Sequence, residues 1–231
     1  RQANRWSQLS PSGTAPAVRD RHTAVWCDVA DGMYVFGGYG YYGKRLNHFH
    51  FFNRQANRWS QVFPSGTAPA ARDAHTSVWS DVADGMYVFG GEDDSNFRYL
   101  NDFHFFDRQA NRWSQLSPSG TPPAARRGHT SVWSDVADGM YVFGGYGGGN
   151  FQRLNDFHFF NRQANRWSQV FPSGTAPAAR DAHTSVWSDV ADGMYVFGGQ
   201  DDSWSPFNDL HFYDRQANRW SQVFPSGTAP A

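Results

Sequence analysis

The hexapeptide RQANRW opens the chain at residues 1–6 and returns at 54–59, 108–113, 162–167 and 215–220. One unit is therefore copied four times, with a partial fifth copy, and such a unit folds as a supersecondary element stacked on its neighbours. From Trp6, the equivalent tryptophans Trp59, Trp113, Trp167 and Trp220 follow at intervals of 53, 54, 54 and 53 residues, enough for several strands per copy. In the second copy HTSVWSDV (75–82) is rich in β-branched and aromatic residues, Ala83-Asp84-Gly85 signals a hairpin, and MYVFGG (86–91) is an apolar run closed by paired glycines. NDFHFFD (101–107) alternates as a third strand, RQAN makes a polar turn, and RWSQLSP (112–118) reads as a fourth strand that Pro118 ends. No segment has the periodicity of an amphipathic helix.

Four antiparallel strands per copy, a period near fifty and a double glycine are the composition of a β-propeller blade. At these residues the chain resembles the kelch-repeat family. The resemblance rests on the pairs Gly37-Gly38, Gly90-Gly91, Gly144-Gly145 and Gly198-Gly199, and on an aromatic seven residues before each blade tryptophan: Phe52, Phe106, Phe160 and Tyr213. The P-x-x-R-x-x-H-T start, Pro69, Arg72, His75 and Thr76 in the second copy, is similar to kelch blades that open on Pro-Arg-Gly-His. The resemblance implies an all-β propeller of four kelch blades, each a four-stranded antiparallel sheet, closed by a terminal outer strand. Residues 1–231 then form one domain with repeats at about 1–53, 54–107, 108–161 and 162–214 and a partial repeat at 215–231. RWSQ occurs at both ends, so seventeen strands compete for the sixteen places of a closed four-blade ring. One terminal strand is redundant and free to pair with another chain, and a larger ring shared by two chains is the alternative.

Twenty basic and twenty-one acidic side chains leave a formal charge of −1 with no block of either sign. Bulk charge thus selects neither nucleic acid nor an anionic membrane as partner. No apolar run is long enough to span a bilayer, and the chain opens on Arg1 without the pattern of a signal peptide, which suggests a trimmed or excised segment. Cys27, the single cysteine, stands where the other copies have Ser80, Ser134 and Ser188, so no disulfide framework is expected. With no N-x-S/T sequon either, the chain reads as soluble with a lean towards an intracellular setting; its compartment is not fixed.

Comparison of the copies locates the function. All length variation falls in the loop between second and third strands: YGYYGKR after Gly38, EDDSNFRY after Gly91, YGGGNFQR after Gly145 and QDDSWSP after Gly199. The end of the long fourth-to-first connection also varies, as Asp20-Arg21, Asp73-Ala74, Arg127-Gly128 and Asp181-Ala182. In an up-and-down blade both connections emerge on one face, and the invariant SDVADG and RQAN turns emerge on the other. Copies one and three share Tyr-Gly loops, and copies two and four share Asp-Asp loops, which points to a duplicated two-blade unit.

Candidate ligand-binding residues are therefore Tyr41, Tyr42, Arg45, Asp93, Asp94, Phe97, Arg98, Phe151, Arg153, Asp201, Asp202 and Trp204. Aromatics on such loops act as rigid anchors for a partner or fold back as lids. Arg19, Arg72, Arg126 and Arg180 recur at the start of the inner strands, where they ring the channel mouth for an anion or pair locally with carbonyls and Asp20, Asp73 or Asp181. His22, His75, His129 and His183 form an equivalent set beside threonines, read as structural hydrogen-bonding pairs. The paired aspartates read as solvated loops. No nucleophile-with-base spacing, phosphate-cradling loop or clustered metal motif occurs, so no catalytic residue, metal or cofactor is expected. The ligand sets of metal-dependent kelch enzymes do not match this sequence. The leading reading is a non-enzymatic scaffold for a protein or peptide. Carbohydrate binding and a recently amplified or engineered repeat without a ligand are the alternatives.

Overall fold

The computed structural model describes residues 6–95 and 98–227. Each copy contributes one sheet. In the second blade the inner strand Thr76–Ser80 pairs antiparallel with Gly85–Phe89, that with Phe103–Asp107, and that with the outer strand Arg112–Leu116. The other blades repeat this order at Thr23–Cys27 to Arg58–Gln61, Thr130–Ser134 to Arg166–Val170 and Thr184–Ser188 to Arg219–Val223. Strand assignments from sequence and structure agree to within a few residues. Among the described residues no helix is long and apolar enough to cross a membrane.

Each sheet has a fifth strand that the sequence does not announce. Ser12–Gly13, Ser65–Gly66, Ser119–Gly120 and Ser173–Gly174 pair in parallel with the outer strand of the blade that follows them in the chain. The glycine is required there: a Cβ on Gly66 would lie 2.1 Å from the Trp113 carbonyl oxygen. The pairing covers the sheet's outer edge and ties each interblade connection to the next blade.

Neighbouring blades pack face to face. The front face of the first blade (Val25, Tyr34, Phe36, Phe49) buries the back face of the second (Met86, Val88, Phe106, Trp113), and the same combination recurs between blades two and three and between three and four. At every junction a front-face tyrosine lies flat against a back-face tryptophan: Tyr34 on Trp79 at 5.5 Å, Tyr87 on Trp133 at 5.1 Å and Tyr141 on Trp187 at 5.2 Å between ring centroids. Burial pushes the Tyr34 and Tyr87 hydroxyls up to about 12. The inner strands are linked by hydrogen bonds of 2.8 Å between Thr23 and His75, Thr76 and His129, and Thr130 and His183. His75, His129 and His183 are thereby structural, each paired with the threonine of the preceding blade and not with the one beside it in sequence.

Closure corrects the sequence reading. Among the described residues no hydrophobic cluster joins the fourth blade to the first, and the hydrogen bond that would pair Thr184 with His22 is absent, both residues being exposed. All four antiparallel strands of every blade come from one continuous stretch of chain, so among the described residues no terminal strand completes a blade begun at the other end. Arg219–Val223 belongs to the fourth blade, while the N-terminal copy joins no sheet over residues 6–10 and Trp6 is fully exposed. The redundant strand is the N-terminal one.

Candidate functional site

The variable loops and the fourth-to-first connections meet at one end of the central channel. A cavity of about 450 Å³ opens there, lined from all four blades by Arg21, His22, His75, Arg127, His129, Asp181, His183 and Trp204, among others. Its floor is a ladder of backbone hydrogen bonds, Ala74 N to Arg21 O, Gly128 N to Ala74 O and Ala182 N to Gly128 O, each 2.9 Å. These four residues take left-handed backbone angles, with φ of 49° at Arg21, 50° at Ala74, 62° at Gly128 and 56° at Ala182. That turn carries the chain into the inner strand, and it is where the copies diverge.

The recurrent arginines lie beneath the mouth, not in it. Arg72, Arg126 and Arg180 are completely buried. Arg72 donates to the Ala70 and Gly90 carbonyls at 3.0 and 2.9 Å and grips Asp102 through both terminal nitrogens at 2.7 Å. Arg126 holds Asp156, and Arg180 holds Asp209, in the same way. Nε, Nη1 and Nη2 of each fork all donate within the blade, so of the two readings the sequence left open these three groups take local pairing and do not ring the channel mouth. Burial opposes the charge on Asp102 and Asp156, yet hydrogen bonds from the arginine and from His104 or His158 hold both carboxyls well below the usual range. The carbonyl partners were anticipated; the aspartates are those of the Asn-Asp pair opening the third strand, not Asp73 or Asp181.

The first blade departs from this pattern. His48 occupies the place of Asp102, and Arg19 is only half-buried, bonded to the Ala17 and Gly37 carbonyls with Nη2 unpartnered. Burial lowers the Arg19 pKa and, together with the Arg19 charge, pushes His50 down to about 4.

The double glycine explains how the mouth is built. Gly90 and Gly91 have φ of 66° and 99°; a Cβ on Gly90 would meet His129 Cε1 at 2.9 Å, and one on Gly91 the Asp73 carbonyl at 2.7 Å. Gly91 N donates to the Arg126 carbonyl at 2.8 Å, so this loop is clamped to the start of the next blade.

Of the loop candidates, Arg45, Asp93 and Arg153 are buried. Arg45 reaches across to the second blade and pairs with Asp73 at 2.6 Å, Glu92 at 2.9 Å and Asp94 at 3.1 Å. Arg153 makes the corresponding reach to Asp181 at 2.8 Å and Asp202 at 3.4 Å, and lies 4.6 Å from the Trp204 ring centroid. Asp93 holds Arg98 at 2.6 Å within its own loop, and the Asp201 carboxylate caps the backbone N–H of Ser203 and Ser205, both at 2.9 Å. These charges clasp blades and shape loops. The clasp joins blade one to two and three to four, which is the two-blade alternation visible in the sequence. Tyr41, Tyr42, Phe151 and Trp204 remain exposed, with Tyr41 edge-on to Tyr42 at 5.1 Å and Phe151 against Tyr99 at 5.7 Å. Phe97 lies outside the described residues.

Two mouth residues escaped the sequence reading. Arg21 is exposed and touches Asp73 through one nitrogen at 3.3 Å; Arg127 lies 3.4 Å from Glu92, flanked by the rings of Tyr99 and Tyr146 at 5.7 and 5.6 Å. Their signal was the dipeptide variation Asp20-Arg21 and Arg127-Gly128. Among the described residues no group of three or more histidine, cysteine, aspartate or glutamate side chains is placed to hold a metal ion.

The KLHDC2/KLHL20/DRC7 Kelch-repeats domain matches the chain twice, over residues 2–136 and 82–231. Kelch domain-containing protein 3 of Bos taurus is 29% identical over 204 residues, covering 85% of this chain and 51% of that protein. The leucine-zipper-like transcriptional regulator 1 homolog of Drosophila melanogaster is 34% identical over 95% of this chain and 23% of its own length. Host cell factor 2 of Homo sapiens is 34% identical over 85% and 26% respectively. The chain thus spans from a quarter to a half of these relatives. Double glycine, aromatic-tryptophan pairs and four-stranded blades coincide with a family match along its whole length: this chain belongs to the kelch-repeat family.

Proposed function

We propose that this propeller is a non-enzymatic scaffold that binds a protein or peptide through the mouth face. The observation that carries the reading is the cavity of about 450 Å³ whose lining differs from blade to blade, beside exposed loop aromatics. Scaffold requirements repeat in every copy; Arg21, Arg127 and Trp204 do not. Trp204, Tyr41, Tyr42 and Phe151 supply rigid apolar surface at low entropic cost, and the two guanidinium groups supply directional hydrogen bonds beside them. Kelch membership supports a binding role without naming a ligand, because fold alone does not specify function.

The test is selection of a displayed random peptide library on the immobilised chain, with a glycan array run in parallel. Enriched peptides that bind the Trp204→Ala variant at least about tenfold more weakly support the reading. Saturable glycan binding without peptide enrichment contradicts it and points to a lectin.

A further inference from the structure

The three internal junctions are one interface made three times, and the chain ends on the two unused halves of it. Among the described residues no blade packs against the front face of the fourth. Val186 is 60% exposed, whereas its equivalents Val25, Val78 and Val132 are 8%, 7% and 6% exposed. Tyr195 and Phe197 are likewise half-buried where their equivalents are buried. The first blade has an uncovered back face: Trp26 is 42% exposed and Trp59 half-buried, whereas Trp113, Trp167 and Trp220 are each 1% exposed.

We infer that the front face of the fourth blade receives the back face of the first blade of a second copy, head to tail, in the geometry of the internal junctions. The occupant is identified by the match of each contact class. Tyr195 stands where Tyr34, Tyr87 and Tyr141 stack on a tryptophan, and Trp26 is the one tryptophan of that set without a tyrosine. The back-face tryptophans seat against front-face phenylalanines, Phe36 on Trp113 at 5.6 Å, Phe89 on Trp167 and Phe143 on Trp220 at 5.5 Å. At Phe197 the corresponding seat is a cavity of about 510 Å³ lined by Leu210, Gln222 and Val223, and Trp59 of a second copy is the group that fits it. Thr184 and His22, both exposed, are the unpaired ends of the threonine–histidine series.

Such an interface is heterologous, and two copies joined reciprocally satisfy both ends in a ring of eight blades, within the range propellers adopt. Residues 6–10 of the incoming copy repeat the sequence of the outer strand already present in the fourth blade; they join no sheet and are exposed, so they can lie aside. The contact runs through sheet faces, not through the addition of a redundant strand at an edge.

The test is sedimentation of the 231-residue chain over a concentration series, alone and with Val186→Asp or Trp26→Asp. Both positions are exposed, and far-ultraviolet circular dichroism with a thermal melt verifies folding. The wild-type chain is expected to form a dimer that each variant weakens at least about tenfold. Mixing the two variants pairs the intact front of one with the intact back of the other and restores a 1:1 complex. His22→Ala and Thr184→Ala, which leave the apolar faces unchanged, weaken association by a smaller factor. A wild-type chain that stays monomeric to about 100 μM, or association unaffected by both charged variants, overturns the inference.

Discussion

The two ends of this propeller both carry arginine–aspartate pairs, and they use them differently. At the turn end, Arg54 holds Asp31, Arg108 holds Asp84, Arg162 holds Asp138 and Arg215 holds Asp192, each pair bidentate and each within one blade. At the mouth, Arg45 and Arg153 cross to the next blade's aspartates at the first and third junctions, and at the second Arg127 reaches back to Glu92 instead. A pair that serves its own blade survives duplication unchanged, because both partners are copied together. A pair that crosses a junction depends on two copies at once, and this is where they have diverged. Constancy at one end therefore reports scaffold, and variation at the other reports a surface free to specialise.

The largest effect is expected beneath the mouth. Asp156→Asn leaves the fully buried Arg126 guanidinium facing a neutral amide, and removal of one partner from a buried pair costs about 3–5 kcal/mol. Denaturant unfolding reads the loss directly. In the first blade His48 stands at the position of Asp156, and the half-buried Arg19 has no carboxylate partner among the described residues.

Acid should weaken the same scaffold before the carboxylates titrate. Burial, reinforced by the Arg180 charge, pushes His183 down to about 3 from the ordinary 6.5, and His75 and His129 are also held well below it. Between those values the unfolded chain takes up a proton that the folded chain refuses. Stability is thus fully present above about pH 6.5 and falls as pH is lowered, by about 1.4 kcal/mol per pH unit for each such histidine. Thermal midpoints at pH 7 and 4.5 check the sign, and His183→Gln should flatten the dependence.

Arg108→Ala at the turn end should cost less, about 0.5–1 kcal/mol, since that pair is partly solvated. A loss as large as that of Asp156→Asn would remove the distinction between buried ties and turn-end ties.

The strands were legible because a period-two apolar pattern between turn signals has one economical reading; MYVFGG was located almost to the residue. Two features were not legible. Ser65–Gly66 carries no hydrophobic signal, and its pairing is visible only once the next blade's outer strand lies beside it. Closure depends on whether the last blade meets the first, a packing question that identical copies cannot answer. In the site, the exposed aromatics are recognisable from their loops, but Arg45, Asp93 and Arg153, candidates for ligand binding by the same reasoning, are buried in ion pairs. Their burial follows from opposite charges meeting within and across a junction, and the sequence shows only as alternation which loops are neighbours.

The central claim, that recognition resides at the variable end, is tested most directly by titrating one library-selected peptide against substitutions at the two ends. Binding to Arg127→Ala and Trp204→Ala should weaken at least about tenfold, with Arg108→Ala indistinguishable from wild type. Equal losses at both ends, or a loss confined to Arg108→Ala, would contradict it.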